Sequence, residues 1–211
     1  IKPETRAVVV NHCSNVTGTL LDLKKISSIA RKNNCLIIVD ASQSAGLVPI
    51  DFEGWHLDML AFTGHKSLYG MQGTGGLIVR NGIDLKPHKT GGTGILSEVL
   101  TQPEGWPIHY EAGTPNMPGI ASLNAGIDFI NETGIDKIHQ KKKNFVERMI
   151  SELERLDRIT VYNDPENSTF ANFCFNIEGI VPEEVNYILE SSYDIHVRSG
   201  LHCAPLLLES L

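Results

Sequence analysis

Four polar side chains, an amide, a carboxylate, an imidazole and an amine, follow short apolar segments of the sequence. They are Asn15, Asp40, His65 and Lys66. Ligands of an open α/β sheet bind beyond the carboxyl ends of its parallel strands, so strands ending here would bring the four groups to one edge. Each alone has a simpler explanation, since Asp40 can cap a turn and Lys66 can be a solvated surface residue. Their coincidence after three consecutive apolar segments favours a binding or catalytic site.

The apolar segments themselves predict the strands of an α/β sheet. They cover residues 7–11, 36–40, 59–63 and 76–79 and are short and aliphatic, as is typical of buried strands. Between the first two, Asp22 can cap a helix that Asn33 and Asn34 end. Its apolar stripe would consist of Leu23, Ile26, Ile29 and Ala30. This strand–helix–strand unit predicts two parallel strands joined by a right-handed crossover.

The second half of the chain predicts a smaller α+β unit. A region rich in glycine and proline, residues 82–118, predicts a long loop of functional importance. After it the pattern predicts helices at 120–132 and 135–156, strands at 159–162 and 172–177, a helix opened by Pro182, and a short strand ending at Arg198. In the second helix one face would be apolar: Ile138, Phe145, Met149, Ile150, Leu153 and Leu156. We therefore expect two domains, residues 1–118 and 119–211.

Composition excludes several classes of protein. The chain has 211 residues, 41% of them hydrophobic, and a net charge of −7 from 18 basic and 25 acidic residues. An acidic chain without a long basic run is not expected to have nucleic acid or an anionic membrane as its main partner. No apolar stretch approaches the roughly 18–20 residues that span a bilayer. The four cysteines fit no disulfide or metal-ligand spacing, which favours a reducing, cytoplasmic location and no bound metal.

Five short motifs, in order along the chain, resemble the class V aminotransferase family, in the branch of the cysteine desulfurases and selenocysteine lyases. They are SNVTG at 14–18, VDASQ at 39–43, TGHK at 63–66, EAGTPN at 111–116 and RSGLHC at 198–203. The resemblance implies part of the large domain of a fold-type-I enzyme, a mainly parallel sheet with helices, followed by a small α+β C-terminal domain. It also implies a homodimer.

The resemblance implies that the cofactor is pyridoxal 5′-phosphate, which serves such enzymes as an electron sink. Six residues would contact it: Asp40 at the ring nitrogen, Gln43 at the ring 3′ oxygen, Thr63 and His65 at the phosphate, Lys66 as the point of covalent attachment, and Thr114 at the phosphate of the partner subunit's cofactor. Because the amine of Lys66 must be neutral to react, we expect this side chain to be buried beside the cofactor ring.

The resemblance also implies residues for substrate and catalysis. Asn15 and Arg198 would lie near the carboxylate of an amino-acid substrate, to which arginine can make two hydrogen bonds. Cys203 would attack the sulfur of L-cysteine, leaving alanine and an enzyme persulfide. A thiolate is the nucleophile in such a step, and a nearby cation favours it. Cys13, Cys35 and Cys174 are interpreted as structural cysteines, and His12 as a packing or loop residue.

The sequence therefore predicts a pyridoxal-phosphate-dependent cysteine desulfurase that acts on L-cysteine, with a sulfur-acceptor protein as a possible partner. A selenocysteine lyase, or another class V lyase or epimerase, would share these motifs. In the family, the phosphate-binding helix start and a ring-stacking histidine precede the position of Ile1. A second arginine follows the position of Leu211. The chain thus resembles a fragment that we expect to be inactive alone, and an inactive scaffold is the remaining alternative.

Overall fold

Three parallel strands and one antiparallel strand form the larger sheet. In this computed structural model, which describes residues 1–96, 98–163 and 172–211, they are β1 (Ala7–Asn11), β2 (Leu36–Asp40), β3 (Met59–Thr63) and β4 (Gly75–Val79), in that spatial order. β1, β2 and β3 run parallel, and β4 pairs antiparallel with β3. The predicted strand–helix–strand unit is confirmed.

Helix α1 (Leu23–Lys32) covers one face of this sheet. Asp22 caps it by accepting a hydrogen bond from the main-chain N–H of Lys25 at 2.9 Å, and Asn33 ends it. The core joins two of its residues to the strands: Leu23 and Ala30 pack with Ile37, Val39 and Leu60. This burial of aliphatic side chains is the main stabilising contribution in this part of the fold.

The predicted apolar stripe of α1 is wrong at one position. Ile29 is 46% exposed, whereas Ser27 is buried. The Ser27 hydroxyl donates a hydrogen bond to the main-chain carbonyl of Trp55 at 2.6 Å. A buried serine is tolerated where its hydroxyl has such a partner. A pattern of hydrophobic residues cannot predict this burial, because it contains no information about the partner.

The opposite face of the sheet is largely uncovered. Val9 is 70% exposed and Leu77 is 49% exposed. Side chains alternate between the two faces of a strand, and both residues lie on the face opposite the core. The sheet therefore presents aliphatic side chains to solvent on the side away from α1.

The second part of the chain contains helices and a two-stranded sheet. Its elements are α2 (Met117–Thr133), α3 (Ile135–Leu153), β5 (Ile159–Val161), β6 (Phe175–Ile177), α4 (Pro182–Tyr193) and α5 (Pro205–Leu208). β5 and β6 pair antiparallel. The long loop is confirmed, because residues 82–116, among those described, contain only a short 3-10 helix at Ile108–Tyr110.

Two expectations for this part are wrong. The segment before Arg198 forms no strand, since residues 194–199 have no regular structure. The predicted apolar face of α3 is confirmed at Ile138 and Ile150, which are buried, but it is wrong at Phe145, which is 59% exposed while Val146 is buried. Val146 and Ile150 pack against residues of the small sheet region, so the position of that sheet selects the buried face. Leu156 lies beyond the end of α3 and is 56% exposed.

His12 is part of the packing beneath the strand ends. It is 2% exposed, its Nδ1 lies 2.9 Å from the hydroxyl of Ser44, and its ring meets the edge of Trp55 at a centroid distance of 6.2 Å. Burial lowers the pKa of His12 from 6.5 to about 4. The folded protein therefore holds a neutral imidazole at this position near neutral pH.

We expect His12 to make stability fall as the pH decreases from about 6.5 to about 4. Below pH 6.5 the imidazole of the unfolded chain binds a proton. In the folded protein the same imidazole stays neutral until the pH approaches its lowered pKa of about 4. The stabilisation is therefore complete above pH 6.5 and is lost on acidification, by at most about 3.5 kcal/mol. Urea unfolding between pH 4 and 7.5 measures this, and His12→Gln should flatten the profile in that window.

The exposed His88 supplies the control. His88→Gln should keep the wild-type pH profile, because an exposed imidazole is solvated in both states. Identical profiles for the wild type and His12→Gln would contradict the assignment.

Candidate functional site

A cleft of about 1350 Å³ opens at the carboxyl ends of the parallel strands, between the larger sheet and the second part of the chain. Six of the nine predicted site residues line it: Asn15, Asp40, Gln43, Lys66, Arg198 and Cys203. They come from segments more than 180 residues apart in sequence. The fold thus brings together the amide, the carboxylate and the amine of the strand ends with the guanidinium and the thiol of the C-terminal loop.

The remaining three predicted residues do not line this cleft. Thr63 and His65 contact each other, with the threonine hydroxyl 2.8 Å from Nδ1 of the imidazole. Thr114 is exposed in the long loop. Thr63 and His65 therefore form a polar pair at the end of β3.

Asp40 combines a structural contact with a position at the cleft. It is exposed at the end of β2, and its Oδ1 accepts a hydrogen bond from the main-chain N–H of Ser42 at 2.8 Å. This is the turn cap that its position after a strand suggests. A carboxylate has a second oxygen, so the same side chain can also accept from a protonated ligand nitrogen.

Lys66 is exposed, contrary to the expectation of a buried amine. The loop that carries it, residues 64–71, lies at the edge of the sheet, and its cleft side is open to solvent. Its main chain is nevertheless tightly fixed. Gly46, with φ +80°, lies so close that a Cβ there would overlap the carbonyl oxygen of Ser67.

One face of α2 holds the opposite side of the Lys66 loop. The Ser122 hydroxyl accepts a hydrogen bond from the main-chain N–H of Met71 at 2.9 Å. Phe129 packs edge-on against Tyr69 at a centroid distance of 5.3 Å. Between them, a Cβ on Gly126 would overlap the carbonyl oxygen of Leu68. This role of Gly126 could not be predicted from the sequence, because a glycine within a helix indicates only a lower helix propensity.

The C-terminal loop places a cation beside a thiol. Nη2 of Arg198 donates a hydrogen bond to Sγ of the exposed Cys203 at 3.1 Å. A cationic neighbour is typical of cysteines that act as nucleophiles. Arg198 and Cys203 thus contact each other within one loop.

The backbone of this loop adopts a costly conformation. Residues His202 and Cys203 have φ values of +51° and +59°. For residues other than glycine the left-handed region costs roughly 1–2 kcal/mol each, so surrounding contacts must hold the pair. One such contact is the side-chain amide of Asn15, which donates to the main-chain carbonyl of His202 at 2.5 Å.

Two further asparagines, which sequence reasoning did not single out, tie the small sheet to the loop of Asn15. The Asn172 side-chain amide donates to the carbonyls of Asn15 and Val16, at 3.2 and 2.5 Å. That of Asn163, which is 9% exposed, donates to the carbonyls of Thr17 and Asn172, at 2.7 and 2.9 Å. We call Asn15, Asn163 and Asn172 the asparagine network. The available signal was Asn172 at the start of a predicted strand, where this residue is uncommon.

The other cysteines differ from Cys203 in exposure. Cys13 and Cys35 are buried and Cys174 is partly buried. Burial raises the pKa of the Cys174 thiol, which keeps it protonated and poorly nucleophilic. Within the described residues, no group of three or more His, Cys, Asp and Glu side chains could hold a metal ion. The described helices also include none with the length and apolar character needed to cross a membrane.

Comparison with known sequences identifies close relatives. The family model described as "Aminotransferase class-V" matches residues 1–211. A "Probable cysteine desulfurase" of Methanothermobacter thermautotrophicus is 38% identical over 204 residues, covering 95% of this chain and 51% of the relative. A "Cysteine desulfurase" of Escherichia coli is 32% identical over 210 residues, covering 97% of this chain and 51% of that protein. The chain therefore spans about half the length of the curated relatives it matches.

Solved structures show the same architecture. The cysteine desulfurase CsdA of Escherichia coli superposes with a TM-score of 0.90 at 26% identity, covering all of this chain and 53% of that one. The cysteine desulfurase of Thermococcus onnurineus NA1 superposes with a TM-score of 0.85 at 30% identity, covering 98% of this chain and 52% of that one. The predicted fold-type-I architecture is confirmed.

Gly126→Ala should destabilise the protein even though alanine is the better helix former. Alanine in a helix gains up to about 1 kcal/mol over glycine, but here the new methyl group would overlap the main chain of the Lys66 loop. Overpacking against backbone costs about 1–3 kcal/mol, so we expect a net loss near 1 kcal/mol in denaturant unfolding.

The exposed Glu132, on the same helix, provides the comparison. Glu132→Ala should change stability by less than about 0.5 kcal/mol. A Gly126→Ala protein more stable than the wild type would show that the loop does not press on the helix.

Proposed function

The chain belongs to the aminotransferase class-V family, and from this premise we propose that the protein containing it is a pyridoxal-phosphate-dependent cysteine desulfurase. Its substrate is L-cysteine, and its products are L-alanine and a persulfide on Cys203. The observation that carries the proposal is the contact between Arg198 and Cys203 on the cleft that also holds Lys66 and Asp40. An aminotransferase or epimerase has no need of a thiolate in its site.

The side chains on the cleft fit the cofactor in chemical type. Lys66 supplies an amine for covalent attachment, Asp40 a carboxylate for the ring nitrogen, and Gln43 an amide for the ring oxygen. When bound, pyridoxal phosphate supplies the electron sink that weakens bonds at the amino acid's α and β carbons. We assign Thr63 and His65 to the phosphate, as a hydroxyl and an imidazole that already form one polar pair.

Cys203 performs the sulfur transfer. Its thiolate attacks the substrate sulfur, an S–S bond forms, and the bond between that sulfur and the substrate's β carbon breaks. The electron pair of the broken bond stays with the carbon, which takes a proton and becomes the methyl group of alanine. The substrate is thereby reduced at carbon while the sulfur is oxidised, so no external oxidant or reductant is required.

Arg198 and Asn15 hold the substrate carboxylate while keeping their contacts within the protein. Arginine has five N–H donors, and the contact with Cys203 uses Nη2. The remaining donors can reach a carboxylate in a two-bond arrangement. One guanidinium thus orients the substrate and stabilises the attacking thiolate.

The family supports four further assignments for the whole protein. We propose that it is a cytoplasmic homodimer, with the exposed Thr114 reaching the partner subunit's cofactor. We also propose that residues 1–118 belong to the large domain and residues 119–211 to the linking helices and small domain. The exposed position of Cys203 suits delivery of sulfur to an acceptor protein.

We expect Lys66 to be the residue that carries the cofactor in the full-length protein. Borohydride reduction of the cofactor-loaded protein, followed by peptide mapping, should place the pyridoxyl group on Lys66, the lysine that shares the cleft edge with Asp40. The exposed Lys24 on α1 serves as the internal reference and should remain unmodified. Labelling of another lysine in place of Lys66 would refute the assignment.

Replacement of Cys203 should separate cofactor binding from sulfur transfer. Cys203→Ala should keep the visible absorbance of the bound cofactor but lose sulfide and alanine production from L-cysteine by at least roughly a hundredfold, because the nucleophile is gone. Cys35→Ala, at a buried cysteine away from the cleft, is the matched control and should keep activity. Normal sulfide release by Cys203→Ala would leave Cys203 without a catalytic role.

A further inference from the structure

We propose that Asn172 is a positioning residue for Cys203, acting through the loop of Asn15. The inference rests on the proposed function of Cys203 as the nucleophile. It follows from a continuous series of contacts: Asn172 fixes the main chain at Asn15, Asn15 holds the carbonyl of His202, and His202 precedes Cys203. None of these contacts lies within one secondary-structure element.

The first step is the attachment of the Asn15 loop. A side-chain amide has two N–H donors, and the structure directs that of Asn172 to two consecutive carbonyls, those of Asn15 and Val16. Two consecutive peptide units bound by one side chain are fixed in orientation as well as position. Without this side chain, the main chain carrying Asn15 would lose that restraint.

Asn163 in turn fixes the position of Asn172. Asn163 donates to the main-chain carbonyl of Asn172 and accepts a hydrogen bond through Oδ1 from the N–H of Cys174 at 2.8 Å. Asn163 is almost completely buried, and a buried amide with satisfied donors and acceptor is rigid because moving it would leave polar groups unpaired. Asn172 is therefore a firm support for the Asn15 loop.

The last step explains why the support matters for the thiol. His202 and Cys203 both have positive φ values and return to ordinary conformations unless they are held. A change in φ at either residue would swing the Cys203 side chain relative to Arg198. The contact of 3.1 Å between Nη2 and Sγ then lengthens, and the sulfur loses the hydrogen bond from the guanidinium. Cys203 is already exposed, so the network governs the orientation of the sulfur against the guanidinium and leaves its accessibility unchanged.

The test measures the reactivity of Cys203 in the full-length protein, without cofactor or substrate. The rate of alkylation by iodoacetamide at pH 7 is followed by mass spectrometry of the peptide that contains Cys203. Asn172→Asp keeps the size of the side chain and removes both donors, and Asn172→Ala removes them without adding a charge. We expect both variants to react roughly three- to tenfold more slowly, the ratio that corresponds to about one hydrogen bond.

Asn144→Asp is the matched control for the change in charge. Asn144 is exposed on α3, and its side-chain oxygen accepts from Gln140 at 2.7 Å, a contact that aspartate can also make. This variant should react at the wild-type rate. Wild-type rates in both Asn172 variants would overturn the inference.

A double-mutant comparison distinguishes positioning from a general loss of structure. Arg198→Gln alone should slow alkylation, because the guanidinium that contacts the sulfur is absent. Adding Asn172→Ala to Arg198→Gln should slow it no further, since the group that Asn172 positions against the thiol is already absent. A second, additive decrease would overturn the inference, because it would mean that Asn172 acts by another route.

The same experiment separates this inference from the proposed function. If the cofactor-loaded wild type releases no sulfide from L-cysteine, the desulfurase proposal fails, while slower alkylation of the Asn172 variants still supports the positioning role. If the wild type does release sulfide and the Asn172 variants match it in alkylation and in kcat, the desulfurase proposal stands and the positioning role fails.

Discussion

The parallel alignment of three short strands is the constraint on which the rest of the site depends. β1 and β2 pair in register, with Asn11 opposite Asp40, and β3 continues the pairing with Ala61 opposite Asp40. Because all three strands run in the same direction, each delivers the polar residues that follow it to the same edge. An antiparallel arrangement of any one would send its functional loop to the far side of the sheet, about 15 Å away for a strand of this length.

The second constraint is polar, since the small sheet contacts the edge loops through side-chain amides. Hydrogen bonds to main-chain carbonyls are directional, which apolar packing is not. The asparagine network therefore defines where the C-terminal loop meets the first loop of the sheet more narrowly than burial alone would. The same contacts leave the cleft open and lined by charged groups from both sides.

Much of the sheet could be predicted from the sequence because each strand is a compact aliphatic segment bounded by polar or turn residues. The cap at Asp22 and the end of α1 at Asn33 were also predictable, since their side-chain chemistry is local. Which face of α1 and of α3 is buried could be predicted only in part. Ser27 is buried because of a carbonyl from Trp55, and Val146 because of a sheet formed later in the chain. Neither partner lies nearby in sequence.

The site shows the same division between local and distant information. The motifs predicted Asp40, Lys66, Arg198 and Cys203 as site residues, and all four line one cleft in the structure. Two supporting contacts could not be predicted. The contact from Asn15 to the residue before Cys203 spans 187 positions of the sequence, and the contact from Asn172 to Asn15 spans 157 positions. The burial of Lys66 was expected from its chemistry, but exposure depends on which segments surround a loop.

The close contact of Gly126 with the Lys66 loop connects the larger sheet with the second part of the chain. With no side chain between them, helix α2 and the Lys66 loop meet backbone to backbone, and a close-packed joint of this kind is nearly incompressible. Helix α2 is joined at Gly134 to α3, which packs on the small sheet. The Lys66 loop at the amine end of the cleft and the small sheet at its thiol end are therefore connected through packed contacts of α2 and α3, as well as across the open space between them.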